Sequence, residues 1–483
     1  MRINGLLTTG IILAAILSSC SSGKPDCSIL ISRAETEYND GNFLKLSEIA
    51  DSIRKVCPEE PDLFRKADSL VQISERIRLD FSHSEEQFLK RFESYKIPFN
   101  DSILDIWNKK KWIEWRMIDG EKKYFNRAAS NLRLLRLFYE DNEEQILENS
   151  RDPEMMERLR HTKKIIAESK RSSEPVFPVN MKITYIIAVD ADAVPDGETI
   201  RCWMPFPKES HPRQQKIELL SVSDPNYIIS PDSAIHRTIY IENTARKGIG
   251  TEFMISFRYQ SSGRYIDLNS IKTGQYDKSS VLYKIYTSEE LPNIRFSEDI
   301  RRVADSIASA NDSPEQIVGK VYLWFKENIP WTGALEYSTM ENIPDYVMEH
   351  RRGDCGMQTF VYMSMLRYKG IPVRWQSGWK VPPGHKNLHD WCEVYYEGLG
   401  WVPSDISYDL QYSDNKNLKE FFKSGIDSYR LIVNDGVAGK LYPEKIHLRS
   451  EPYDFQRGEV EWNGGNLYFD KWNYSMDIEY LAE

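Results

Sequence analysis

"RRGDCGMQTFVYMSMLRYKG", Arg351 to Gly370, is the stretch on which the fold turns. Met357, Phe360, Val361, Met365 and Tyr368 recur at the i, i+3, i+4 spacing of one buried helix face. Gly370 suits the position just past the helix end, and Ile371–Pro372 opens the next element. Cys355 therefore falls at or just before the first turn. Unpaired backbone N–H groups and the helix dipole favour a thiolate there. The same groups can stabilise an oxyanion on an attacked carbonyl. Gly353 and Gly356 leave the thiol sterically open. The expectation is a thiol that ionises well below the free-cysteine pKa of about 8.5.

A nucleophilic thiolate needs a base and a group to orient it. Both stand downstream in "NLHDWCEVYYEGLGWVPSDISYD", Asn387 to Asp409. On a strand, His389, Trp391 and Glu393 share one face, and Asp390, Cys392 and Val394 the other. "EGLG" makes a turn, and Trp401–Val402 begins the return strand. A hairpin of that length brings Asp405 back beside His389. The order is thus nucleophile Cys355, base His389, orienter Asp405. The facing rule excludes Asp390 as orienter. It also argues against a zinc site from His385, His389, Cys392 and Cys355, because Cys392 points away from His389.

These motifs resemble the transglutaminase-like core. The resemblance rests on Gly-Asp-Cys before the helix, Gly-Ile-Pro-x-Arg after it, His-x-Trp-x-Glu-Val on the strand and Gly-Trp-Val-x-x-Asp on its return. All stand here in order, over roughly residues 270–410. "EDIRRVADSIASANDSPEQIVGKVYLWFKENIPW" resembles the helical lead-in to that core. The resemblance implies a papain-like α+β fold and acyl transfer through a thioester, with Cys355, His389 and Asp405 in the three roles. It implies no metal at the triad and no cofactor. Gly356 and Thr359 stand where many members have bulky residues or Ala, which alters the pocket. Trp331, in "NIPWTG", is a candidate oxyanion donor or a packed core residue. Trp375 and Trp379 either flank the substrate groove or pack.

Around this core the 483-residue chain is long enough for several domains. Hydrophobic residues make up 41% and charged residues 28%, the balance of a globular protein. The net charge of −10 carries no basic face, which argues against nucleic acid. The start reads as a secretory signal: Arg2, then an apolar run from Leu6 to Leu17, then "LSSC". "LSSC" resembles the lipobox of bacterial lipoproteins. It implies cleavage before Cys20 and a lipid on its thiol, and Ser21 leans toward the outer membrane of the cell envelope. Export makes a bridge between Cys27 and Cys57 reasonable, across a helical hairpin marked by Ala34, Tyr38, Gly41, Phe43 and Ala50. Asp119–Gly120 marks a hairpin turn.

The expected fold class is multidomain α+β. A signal peptide spans 1–19 and a mostly helical N-terminal region 20–168. A polar linker, "SKRSSEPVFPVN", spans 169–180, and a β-sandwich 181–265. The transglutaminase-like catalytic core spans 266–410 and a β-rich C-terminal extension 411–483. Ile183, Tyr185, Ile187 and Val189, and later Phe253, Ile255, Phe257 and Tyr259, alternate as half-buried strands do. "SPEQIVGKVYLWFKENI" is a helix capped by Ser313, with Pro314 first and Gln316 closing a capping box. The functional expectation is cysteine-dependent acyl transfer on a protein, peptide or cell-wall amide, with hydrolysis ahead of crosslinking. The alternative is a silent, lipid-anchored binding scaffold. The anchor is directly testable: Cys20→Ala should leave the protein unlipidated by intact-mass measurement and free of the membrane fraction on fractionation.

Overall fold

The computed structural model describes residues 26–140, 153–408, 410, 411 and 413–482. Cys20 and the signal segment lie outside the described residues. The described chain is mixed α/β and forms two compact units, one of residues up to 75 with 117–121, the other of 76–116 and 122 onward.

In the first unit, helices Cys27–Asn39 and Phe43–Val56 bury Ile31, Ala34, Tyr38, Phe43, Leu46, Ile49, Ala50 and Ile53 between them. Asp26 caps the first helix, its side chain accepting the Ser28 N–H. Cys27 and Cys57 form a disulfide across this hairpin, 30 residues apart. Asp119 and Gly120, at φ 49° and 83°, make the turn between strands β1 (Trp115–Ile118) and β2 (Glu121–Tyr124). Two positive φ angles are what a two-residue hairpin of this hand requires.

In the second unit, three sheets position the site. The first has the order β11-β10-β9-β13, all antiparallel: β9 is Val373–Lys380, β10 Asn387–Tyr396, β11 Gly400–Ser404 and β13 Arg430–Asn434. One face carries Val373, Trp375, Cys392, Val394 and Val402. They share an apolar core with helices Glu298–Ile307, Pro314–Asn328, Ile343–His350 and Cys355–Tyr368. The helix Pro314–Asn328 starts with the expected capping box between Ser313 and Gln316 and with Pro314 in its first turn.

The other two sheets enclose a second core. β3 (Val176–Val189) pairs with β8 (Thr251–Tyr265), which puts Ile183 opposite Phe257, Tyr185 opposite Ile255 and Ile187 opposite Phe253. The inward side chains of these six are at most 1% exposed. The opposing sheet runs β15-β14-β4-β7-β6, with β4 Thr199–Pro205, β6 Tyr227–Ile229, β7 Thr238–Thr244, β14 Glu459–Trp462 and β15 Gly465–Leu467. Trp379, Val381, Leu431 and Val433, from β9, β13 and their flank, join this core. The first sheet and the sandwich are therefore continuous in their packing.

Two sequence boundaries shift. The segment read as a linker over 169–180 becomes strand from Val176. Pro178 is tolerated because the β3–β8 register slips between Val176 and Val179, a bulge where no ladder donor is needed. The tail read as an extension over 411–483 supplies strands to all three sheets. β13 joins β9, β14 joins β4, and β16 (Trp472–Leu481) runs beside β3 from Val189 to Asn180. The β14–β4 and β16–β3 pairings close over hundreds of residues, and local alternation carries no partner information.

The disulfide is the cross-link most open to test. A loop of its size is worth about 3–4 kcal/mol in the chain-entropy picture. Cys57→Ala should lower the unfolding free energy of the helical hairpin by about that amount, read by helical CD against urea.

Candidate active site

The helix Cys355–Tyr368 begins at Asp354, whose carboxylate accepts the Met357 N–H at 3.1 Å. Asp354 is thus the N-cap and Cys355 the first helical residue. The sequence marked one buried face, but residues Gly356 to Arg367 are all buried. Packed on the helical side as well as on the sheet, the helix buries its polar residues too, and they find partners. Gln358 Nε2 donates to Ile329 O at 3.0 Å, and Arg367 Nε to Val373 O at 3.0 Å.

Gly356 does more than leave the thiol open. A Cβ there would lie 2.3 Å from Tyr337 Oη and 2.7 Å from Asp390 Oδ2. The missing side chain lets both groups approach the nucleophile turn. Tyr337 Oη in turn donates to Asp354 Oδ1 at 2.5 Å.

His389 and Asp405 meet as expected. Cys392 pairs with Ser404 across β10 and β11, and the next residue on the return strand brings Asp405 to the imidazole. Nε2 of His389 lies 2.7 Å from Asp405 Oδ2, with His389 5% and Asp405 0% exposed. Ser407 Oγ donates to Asp405 Oδ1 at 3.0 Å. A fourth group joins them from β13. Arg430 Nη1 donates to Asp405 Oδ2 at 2.9 Å, and Nη2 to Asp427 Oδ2 at 2.7 Å. Trp391 lies under the guanidinium and Tyr408 packs edge-on to the imidazole, 5.2 Å between centroids.

Cys355 is partly exposed, and its thiol donates to Asp390 Oδ2 at 3.3 Å, in place of the expected bond to His389. Strand alternation sends His389 to one side of β10 and Asp390 to the other. The thiol is seated on the Asp390 side. Asp390 Oδ1 accepts from Gln456 Nε2 at 2.8 Å, and the same nitrogen donates to His389 O at 3.0 Å.

Electrostatics divides the site along this strand. Burial works against the Asp405 charge, but His389 and Arg430 hold it well below the usual carboxylate range. Burial lowers His389 to about 4, against the pull of Asp405. On the other side burial, with Asp454 and Asp354, pushes Asp390 well above the carboxylate range. Burial, with Asp390 and Asp354, raises the Cys355 thiol well above its ordinary value. The expected low thiol pKa is therefore reversed in the resting site. The helix N–H groups are outweighed by desolvation and two neighbouring acids.

Residues 301–406 match the transglutaminase-like superfamily. This segment is a transglutaminase-like domain. Two solved structures are similar to the chain. A proposed cysteine protease from Cytophaga hutchinsonii has a TM-score of 0.43 at 14% identity, over 64% of this chain and 92% of its own. The periplasmic domain of TgpA from Pseudomonas aeruginosa has a TM-score of 0.28 at 17% identity, over 53% of this chain and 95% of its own. No curated protein matches the sequence.

Of the tryptophans singled out near the transglutaminase-like site, only Trp331 borders it. It is 42% exposed and pairs in parallel with Gly353, two residues before Cys355. Trp375 is stacked on Phe360 at 4.3 Å and is 1% exposed. Trp379 donates Nε1 to Gln456 O at 3.0 Å inside the second core. Both are core residues, Trp375 in the core shared with the helices and Trp379 in that of the sandwich. Arg430, Asp427, Tyr337 and Gln456 were missed by sequence reading. They come from loops and a strand far from the motifs, and their sequence surroundings carry no signature.

Arg430 is the residue whose loss should be felt most. Arg430→Met removes the countercharge of two buried carboxylates and should cost about 3–5 kcal/mol of stability in urea unfolding near neutral pH.

Proposed function

We propose that the protein is a cysteine-dependent acyl-transfer enzyme, with Cys355 as nucleophile, His389 as base and Asp405 as the group that orients and stabilises the imidazole. The observation that carries this reading is the buried His389–Asp405 pair at 2.7 Å, on the strand beside a cysteine at a helix N-terminus. Asp405 occupies Nε2, so Nδ1 is the nitrogen left for the thiol. The reaction begins as the thiol turns from Asp390 toward Nδ1 and gives up its proton. Sulfur attacks an amide carbonyl, and the imidazolium protonates the leaving amine. A thioester remains on Cys355. His389, again neutral, takes a proton from the incoming acceptor, for which we propose water ahead of an amine. The substrate class is a protein, peptide or cell-wall amide, and the site of action is the cell envelope, through a lipid on Cys20. In the scaffold alternative Cys355 would be dispensable.

A neutral thiol and a neutral imidazole define the resting state, since burial raises the one and lowers the other. His389 acts as a base only while unprotonated. With its pKa at about 4 in place of 6.5, the acid limb of kcat/KM should lie near pH 4. Peptide and cell-wall amides followed by mass spectrometry should show a thioester on Cys355. Cys355→Ala should abolish turnover and leave the far-UV CD unchanged. No turnover and no thioester in the wild type would decide for the scaffold.

A further inference from the structure

Asp390 is 2% exposed and its two oxygens have different tasks. Oδ1 accepts from Gln456, and Oδ2 meets the Cys355 sulfur at 3.3 Å. Gln456 also holds the His389 carbonyl, so the carboxyl is oriented by the strand that carries the base. The groups facing Asp390 are acidic or neutral. Asp354 and Cys355 come from the helix N-terminus, Tyr337 from the short turn ahead of the helix Ile343–His350, and Glu451 and Asp454 from the loop before β14. Of the cations nearby, Arg457 is committed to Glu336 and Glu451, Arg127 acts on Asp354 and Lys380 on Cys355, and none bonds Asp390 among the described residues. A buried carboxyl among carboxyls, without a cation of its own, keeps its proton. Gln456 takes Oδ1 as an acceptor, so the proton belongs on Oδ2, the oxygen beside the sulfur.

We propose that Asp390 is a further catalytic residue: as a neutral carboxylic acid it donates a hydrogen bond from Oδ2 to the oxyanion formed when Cys355 attacks a carbonyl. This rests on the acyl-transfer reading above. The oxyanion stands two bonds from Sγ, so a donor in contact with the sulfur is within reach of it. In the attack, the S–C bond forms, the C=O π pair moves onto oxygen, and the thiol proton passes to His389. Asp390 transfers no proton. When the intermediate collapses, the pair returns to the C=O bond, the C–N bond breaks, and the amine leaves with the proton from His389. A charged Asp390 would repel the same oxyanion, whereas a neutral acid in a desolvated site stabilises it. With the thiol turned toward His389, the space beside Oδ2 is open to the oxyanion.

The test compares two reactions of Cys355 in the full-length protein. p-Nitrophenyl acetate acylates the thiol through an oxyanion, and iodoacetamide alkylates it without one. The readout is the ratio of the two rates, which cancels changes in thiol ionisation. Asp390→Ala should lower the ratio about 10²–10³-fold, the usual loss for one oxyanion donor. Asp390→Asn keeps an N–H donor and should hold the ratio within about threefold. In the wild type the ratio should fall as pH rises and Asp390 ionises, and in Asp390→Asn it should stay flat. Equal loss of both rates in Asp390→Ala would mean that Asp390 acts on the thiol, and the proposal would be wrong. The Asp390→Asn profile reads the same point if the alanine variant does not fold. Acylation of Cys355 that is indifferent to Asp390 would overturn the donor alone. No acylation of Cys355 in the wild type would overturn the acyl-transfer reading with it.

Discussion

Arg430 has no exposed side-chain surface, and a guanidinium there must be matched by anions. Asp405 and Asp427 supply them, and Asp405 in turn holds His389. The resulting chain, Asp427–Arg430–Asp405–His389, fixes the end of β11, the start of β13 and the imidazole together. Loosening one member leaves a buried charge without its partner, so the group acts as a unit. The segment that matches the transglutaminase-like superfamily, residues 301–406, does not contain all of this chain. The cation that neutralises its Asp405 stands at position 430, on a strand donated by the tail.

The two faces of β10 impose opposite protonation on neighbouring residues. On one, Arg430 supplies positive charge, Asp405 stays ionised, and desolvation keeps His389 neutral. On the other, Asp454, Asp354 and Glu451 crowd Asp390, and burial with these acids pushes its pKa well above the carboxylate range. Pairs of titratable groups pushed apart in this way are the usual basis for dividing acid and base roles. Cys355 is seated on the Asp390 side, its thiol 3.3 Å from Oδ2. The glycine at 356 is what admits Asp390 and Tyr337 to the nucleophile turn.

The packing of the sandwich against β9 and β13 gives the site its rigidity. Trp379 and Leu431 are anchored in the second core while their strands carry the site residues. Gln456 sits on the loop between the sheets and ties the His389 carbonyl, the Asp390 carboxyl and the Trp379 indole together. Displacement of this loop would reach the thiol through Asp390.

Much of this protein was legible in the chain because the interactions concerned are local. The helix at Cys355 follows from its apolar spacing and its Gly370 stop, and the helix at Pro314 from Ser313 and Gln316. Turn chemistry and period-two alternation over nine to ten residues place His389 and Asp405 on one hairpin. Tertiary structure alone decided which strands the tail would join, that Trp375 and Trp379 are core, and that Arg430 would complete the charge network. It also decided the protonation of the site. A helix N-terminus by itself lowers a thiol pKa, but desolvation and the approach of Asp390 and Asp354 depend on chain segments dozens of residues away. Sequence specifies each residue's neighbours within a few positions. The free energy of a proton or of a strand edge is set by neighbours in space, and those exist only once the chain has closed on itself.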